Sequence, residues 1–110
     1  MREKLLREIL ECHKKWINDE PGGKRADLRG ANLRGANLWE ANLDYSCWPL
    51  WCGSMDVKVC KRIAAQLAYH FCRLDCDDPE VIAAQNALIP LANQFHRAGE
   101  CGLLKPKEIK

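Results

Sequence analysis

Residues 26–45 read ADLRG ANLRG ANLWE ANLDY, which is four consecutive units of five residues. Every unit has Ala first, Asp or Asn second and Leu third. A period of five matches neither the 3.6 residues of an α-helical turn nor the two-residue alternation of a half-buried strand. Short repeats of fixed length are typical of solenoids, in which each unit packs only against its neighbours. We therefore expect this segment to decide the fold.

The units resemble those of the pentapeptide-repeat family, whose members form right-handed, four-sided β-helices. The resemblance implies that the first and third positions of each unit point inward and that the other three point outward. With four units to a coil, residues 46–50 would form a degenerate fifth unit stacked on the first, with Trp48 in the core. The inward column would contain Ala26, Ala31, Ala36 and Ala41 together with Leu28, Leu33, Leu38 and Leu43.

One coil cannot bury its own ends, because each repeat covers apolar surface only against a neighbour. The 110 residues suit a single domain. We predict an α+β fold of four consecutive parts, in which about one coil of β-helix lies between two helical caps. The parts are an N-terminal capping helix over residues 1–20, the repeat coil over 24–50, a helical cap over 55–102 and a tail over 103–110 that frays.

The flanking segments contain ordinary helix signals. Apolar residues recur at three- and four-residue steps over residues 1–19, which predicts an amphipathic helix. The alternation at 57–59 predicts a short strand, and a helix follows over 61–74. Asp78 is predicted to be the N-cap of the next helix, which Pro90 should kink or break.

Composition excludes several classes of protein. The 47% hydrophobic and 29% charged residues are ordinary for a soluble domain, so disorder is not expected. A net charge of +2 excludes a strongly acidic nucleic-acid mimic and gives no field for bulk DNA binding. No apolar run is long enough for a membrane span. Seven cysteines without a secretory signal favour reduced thiols in a cytoplasm.

Three side chains of the repeat are candidates for anion recognition. Arg29 and Arg34 occupy equivalent outward positions in adjacent units, and Trp39 occupies the next one. Arginine forks suit phosphate, and an indole can stack on a base, so a small anionic ligand such as a nucleotide is one predicted partner. A solvated solenoid surface is the alternative. Trp51 either anchors a ligand or partner or joins the core, and the core is favoured.

The run at 46–54, with Tyr69-His70 and Phe95-His96-Arg97 downstream, resembles small pentapeptide-repeat proteins of bacteriophages and mobile elements of gut bacteria. The resemblance implies the cytoplasm of a bacterial host and adds His70, His96 and Arg97 to the candidate ligand-binding residues. We predict a non-enzymatic binding protein that blocks a host defence component or sequesters a nucleotide signal. A homo-oligomer is also expected, because a single coil leaves edges exposed.

Cysteine and histidine suggest two alternatives. Cys47, Cys52, His96 and Cys101 have a spacing compatible with a Cys3His zinc site, although packing as apolar side chains is favoured, and no cofactor is expected. A small hydrolase, zinc-dependent or using Cys52 with His70 or His96, is the alternative function. Neither a phosphate-binding glycine loop nor a paired-carboxylate motif is present in the sequence.

Overall fold

The computed structural model describes residues 3–108. The chain divides into two compact units, Met1–Cys60 and Lys61–Lys110. Helix α1 (Glu3–Ile17) belongs to the first unit, and the second contains α2 (Lys61–Cys72), α3 (Pro79–Ala92) and the short α4 (Ala98–Cys101). No helix between residues 3 and 108 combines the length and the apolar character that a membrane crossing requires.

The prediction of a β-helix coil, and with it of an α+β fold, is wrong. Residues 3–108 contain no β-strand, and the regular structure is helical. Two isolated parallel bridges are formed, Asp27 with Cys47 and Asn37 with Lys58. A strand cannot grow from either bridge because a turn follows within two residues of Asp27 and of Asn37. The strand predicted at 57–59 is likewise reduced to the single bridged residue Lys58.

The inward direction of the leucines is confirmed. Leu28, Leu33 and Leu38 are completely buried, and Leu43 is 8% exposed. Burial of four leucines at a five-residue period gives the segment a continuous apolar column, and this burial is the main favourable term for its folding. In the first position of the units, Ala26 and Ala36 are buried, whereas Ala31 and Ala41 are half-buried.

The second position of every unit closes a turn. Each Asp or Asn side chain accepts a hydrogen bond from the backbone N–H two residues later, which is an Asx turn. The third-position carbonyl then accepts from the N–H of the next unit, as in Ala31 N to Leu28 O at 3.0 Å. Each corner therefore supplies its own hydrogen bonds. The Asx acceptors are Asp27, Asn32, Asn37 and Asn42, at 3.0–3.1 Å from the donors Arg29, Arg34, Trp39 and Asp44.

The chain returns beside its own first repeat after four units, but the return is not regular. Cys47 pairs with Asp27, twenty residues earlier, whereas Lys58 pairs with Asn37, twenty-one residues earlier. The shift occurs before Gly53, whose carbonyl already accepts from Leu33 N at 2.6 Å. Cys47 and Gly53 accept from Leu28 and Leu33, which are five positions apart, but are themselves six positions apart, so one extra residue lies between them. We call residues 48–53 the six-residue step.

Helix α1 is fixed to the repeat segment by a buried histidine. The N–H of Ala26 donates to Nδ1 of His13 at 3.0 Å, so the ring carries its proton on Nε2. Nε2 in turn donates to the carbonyl of Asp44 at 2.7 Å. His13 and Leu6 are both completely buried. One imidazole thus joins the helix to the first and the fourth repeats.

The second unit has a core of six buried side chains. The predicted N-cap is confirmed, since the Asp78 carboxylate accepts from the N–H groups of Glu80 and Val81 at 2.9 and 3.3 Å. The predicted break at Pro90 is wrong because α3 continues to Ala92. Pro90 lies in the last turn, where few hydrogen bonds depend on it. The core side chains are Ala68, Tyr69, Cys72, Ala92, Phe95 and Ala98.

The segment after α4 is docked along the second unit. Four backbone groups of residues 104 and 107 are hydrogen-bonded to the side chains of Asn86 in α3 and of Asn93, which caps the C-terminus of that helix. The prediction that the tail frays is therefore wrong for residues 103–108, and residues 109–110 lie outside the described part of the chain. We call residues 103–108 the clasp segment.

Candidate protein-binding surface

The six-residue step displaces apolar side chains into solvent. The buried Pro49 is followed by Leu50, which is 96% exposed. Trp51 is 48% exposed and Met55 is 55% exposed. Leu50, Trp51 and Met55 together are called the apolar knob. A surplus residue cannot enter a column that takes one large side chain per unit, so it is extruded at the corner.

The indole of Trp51 is held in place by the repeat. Its Nε1–H donates to the carbonyl of Ala31 at 3.2 Å. The ring lies so close to Gly53 that a Cβ on that residue would overlap it. The Ser54 hydroxyl donates to the Trp51 carbonyl at 2.9 Å. Trp51 is thus fixed but half-exposed, and its predicted place in the core is wrong. Trp48, also predicted in the core, is only half-buried.

Both repeat arginines have carboxylate partners, one in the same repeat and one 22 residues later in the chain. Nε and Nη2 of Arg29 donate to the Asp27 carboxylate at 2.7–3.1 Å. This hydrogen bond, with that from the Arg29 backbone N–H, lowers the pKa of Asp27 to about 2. It also raises the pKa of Arg29. Nε of Arg34 lies 3.3 Å from an Asp56 oxygen. An incoming anion would compete with a carboxylate at either site.

Trp39 borders a groove of about 450 Å³ between α1 and the third and fourth repeats. Its side chain is 58% exposed. Arg7 and Lys14 contribute positive charge to the groove, and Glu11 and Glu40 contribute equal negative charge. The formal charges cancel, so the groove has no net attraction for a phosphate. Its other lining residues are Leu10, Ile17, Asn18, Asn37, Ala41 and Asn42.

The remaining candidate ligand-binding residues lie in the second unit. His70 and His96 are exposed, and their rings lie 6.1 and 4.9 Å from the ring of the buried Phe95. Arg97 forms an ion pair with Glu100 at 3.1 Å. These contacts place the two histidines beside one aromatic ring.

The cysteines are distributed over both units. Cys47 and Cys52 belong to the first, and Cys101 belongs with His96 to the second. Over residues 3–108, no three His, Cys, Asp or Glu side chains are grouped so that they could hold a metal ion. Cys72 is buried in the core of the second unit, and burial raises the pKa of its thiol. Its sulfur donates to the Gln85 carbonyl at 3.4 Å.

The apolar knob was missed by sequence reasoning, because the extra residue becomes visible only when the pairing of both bridges is known. Val57, Lys58 and Val59 occupy first, second and third positions of a degenerate unit, since Lys58 pairs with the second-position Asn37. Counting back in fives from Val57 gives Cys52 and then Cys47, which is one residue after the Ser46 that begins the predicted fifth unit. The mismatch of one residue falls on Trp48–Cys52. The role of His13 was also missed, because the sequence shows only that it lies on the apolar face of α1 and gives no sign of its hydrogen-bond partners.

Comparison with known proteins identifies the repeat. The family model described as Pentapeptide repeats (8 copies) matches residues 24–47, about a fifth of the chain. The chain therefore carries pentapeptide repeats, which indicate a protein of the interaction type. No curated protein and no solved structure matches it.

Proposed function

We propose that this chain is a non-enzymatic binding protein, encoded by a bacteriophage or mobile element, that docks its apolar knob into another protein and thereby blocks a host defence component. The observation that carries the proposal is the exposure of Leu50 at 96% beside a fixed Trp51. Tryptophan is among the side chains that dominate binding energy when they fill a partner's pocket, and an exposed leucine beside it adds apolar area that a partner can bury.

Pre-organisation supports this function. Binding a protein costs less conformational entropy when the anchoring side chains are already ordered. The Trp51 ring is held against Gly53 and hydrogen-bonded to Ala31, so its orientation is set before a partner arrives. The backbone below it is bonded to Leu33 through the Gly53 carbonyl. The Trp51 part of the knob is therefore ordered before binding.

The host is proposed from sequence resemblance. Together with Tyr69-His70 and Phe95-His96-Arg97, the run at 46–54, which includes the six-residue step, resembles phage and mobile-element proteins, so the resemblance spans most of the chain. Proteins of such elements act on host components, and pentapeptide repeats favour an interaction role over catalysis. A host protein is accordingly the proposed partner and the bacterial cytoplasm the proposed location.

Sequestration of a nucleotide is less well supported. Arg29 and Arg34 already contact Asp27 and Asp56. The groove beside Trp39 has balanced formal charges. A nucleotide bound at these positions would have to displace an ion pair without a compensating positive field.

The test compares the wild-type chain with two leucine variants expressed in a bacterial host. Leu50→Asp places a charge on the knob, and Leu74→Asp is the matched control, since Leu74 is 56% exposed and belongs to the second unit. We expect one host protein to co-purify with the wild type and with the control but to be lost with Leu50→Asp. The dissociation constant measured with that purified protein should increase at least tenfold for Leu50→Asp.

Three outcomes would contradict the proposal. The first is equal binding of the host protein by wild type and Leu50→Asp. The second is a nucleotide that co-purifies with all three chains and whose binding depends on Trp39. The third is a hydrolytic activity that Cys52→Ser abolishes, which would favour the enzyme.

A further inference from the structure

The backbone of the clasp segment is hydrogen-bonded to two asparagine side chains, one in α3 and one at its C-terminal cap. The N–H of Leu104 donates to Oδ1 of Asn93 at 2.8 Å, and Nδ2 of Asn93 donates to the Leu104 carbonyl at 3.2 Å. Asn86 forms the same reciprocal pair with the backbone of Lys107, at 2.9 Å in both directions. Each amide thus replaces the backbone partner that an extended chain would find in a sheet.

The spacing of the two asparagines matches that of the two residues they bind. Asn86 lies in α3 and Asn93 is the residue that caps its C-terminus, seven positions later, which corresponds to a helical rise of about 10.5 Å. Leu104 and Lys107 are three residues apart, and three extended residues span about 10 Å. The intervening Lys105-Pro106 pair favours extended backbone because proline restricts the residue before it. The spacing of the two asparagines therefore matches the spacing of residues 104 and 107 in an extended peptide.

Two side chains of the clasp segment add selectivity. Leu104 is half-buried and packs against the core of the second unit. The Lys107 ammonium donates to the Cys72 carbonyl at 3.1 Å, to the Leu74 carbonyl at 3.3 Å and to Oε1 of Gln85 at 2.8 Å. Three acceptors satisfy all three of its protons. The arrangement selects a leucine followed three residues later by a lysine.

We propose that this face of α3, the peptide groove, also binds the clasp segment of a second copy of this chain, giving a dimer in which the two copies exchange clasps. A second copy presents the identical Leu104–Lys107 sequence and makes the identical contacts, so exchange replaces each bond by its equivalent. Gly102 is the pivot, since its φ of 108° is a conformation that glycine adopts freely. The exposed Leu103 next to it imposes little restraint on the change of direction.

Exchange competes with closure onto the same chain. A clasp segment attached through one pivot has a high effective concentration at its own groove, so closed monomers predominate in dilute solution. Reciprocal exchange restores both grooves at once and becomes favourable as protein concentration increases. The proposal therefore requires that the groove recognise the segment when it is presented by another chain.

Two complementary full-length variants test this requirement. The groove variant carries Asn86→Ala and Asn93→Ala and keeps its clasp segment. The clasp variant carries Leu104→Asp and Lys107→Ala and keeps its groove. Each alone should be a monomer of 12.6 kDa by light scattering, and an equimolar mixture should give a species of twice that mass. Restoring only Asn93 in the groove variant should reduce the mixed species, because the clasp segment then also binds to its own groove.

A chain that combines all four substitutions is the matched control, and with the clasp variant it should remain monomeric. Monomers in the complementary mixture, with both variants retaining helical circular dichroism, would overturn the proposal. If either variant loses its helical signal, isotope-filtered NMR of the wild type at millimolar concentration decides the question. Nuclear Overhauser effects between Leu104 of one copy and Phe95 of the other support exchange, whereas effects confined to single chains reject it.

Discussion

Removal of the His13 ring is the sharpest test of how α1 is attached to the repeats. His13→Ala removes the hydrogen bonds that the completely buried ring forms with the Ala26 N–H and with the Asp44 carbonyl. An orphaned buried polar group costs about 1–3 kcal/mol, and truncation of a buried ring adds a cavity. We expect the free energy of unfolding to fall by about 3–5 kcal/mol, which is a large part of the 5–15 kcal/mol typical of a domain.

Urea denaturation measures this loss. Far-ultraviolet circular dichroism reports on the helices, and tryptophan fluorescence reports locally because the Trp16 ring is stacked on His13 at 5.8 Å. Lys14→Ala is the matched control, since the adjacent side chain is exposed and should change stability by less than about 0.5 kcal/mol. A His13→Ala protein within about 1 kcal/mol of wild type, with an unchanged urea dependence, would refute the role of this histidine.

The other predictions concern the leucine column, the apolar knob and the first Asx turn. Leu33→Arg buries an unpaired charge and should unfold the first unit, whereas Arg34→Ala, at an exposed ion pair, should cost less than about 0.5 kcal/mol; equal losses in thermal denaturation would contradict the inward phase of the leucines. Gly53→Ala should displace the Trp51 indole and shift the tryptophan emission spectrum, to which Trp16, Trp39 and Trp48 also contribute in both proteins. An unaltered spectrum would show that the position of the ring does not depend on the glycine. Because the pKa of Asp27 is about 2 when folded and 3.8 for the free side chain, its contribution to stability is complete above pH 4 and is lost as the pH falls towards 2. Asp27→Asn keeps the Asx acceptor and should reduce the acid sensitivity in that window only; an NMR titration of Asp27 with a midpoint near 4 would disprove the effect of Arg29.

Local periodicity predicted the parts of the fold that depend on nearest neighbours. The burial of Leu28, Leu33 and Leu38 follows from the five-residue period, because a repeated backbone conformation points the third residue of every unit in the same direction. The cap at Asp78 follows from its own side chain and the proline after it. Both features are decided within a few residues, so the sequence alone was sufficient.

Features that depend on pairing between distant segments were not predictable in the same way. The family resemblance favoured β-helix pairing, but pairing here is limited to two bridges, because the segment returns beside itself only once and with one extra residue. Arg29 and Arg34 are equivalent by periodicity, but their partners differ. Asp27 lies in the same repeat as Arg29, whereas Asp56 contacts Arg34 from 22 residues later in the chain. The site residues were therefore predicted as types of side chain, and their partners were not.

The candidate site shows the same division. Trp51 was recognised as unusual from the sequence, but its exposure depends on an insertion whose length is visible only when both bridges are known. The docking of residues 103–108 depends on Asn86 and Asn93, whose amides carry no sequence signal for a particular partner. Neither surface could be derived from composition or from helical periodicity.

Because of the extra residue in the six-residue step, the exposed corner and the buried leucine column can vary independently. Leu50 makes no demand on the column beneath it, since its side chain is almost entirely in solvent. Mutation there can alter what the corner attracts while the leucines and Asx turns continue to specify the scaffold. Substitution at this single position would therefore change the surface offered to the proposed partner and leave folding intact.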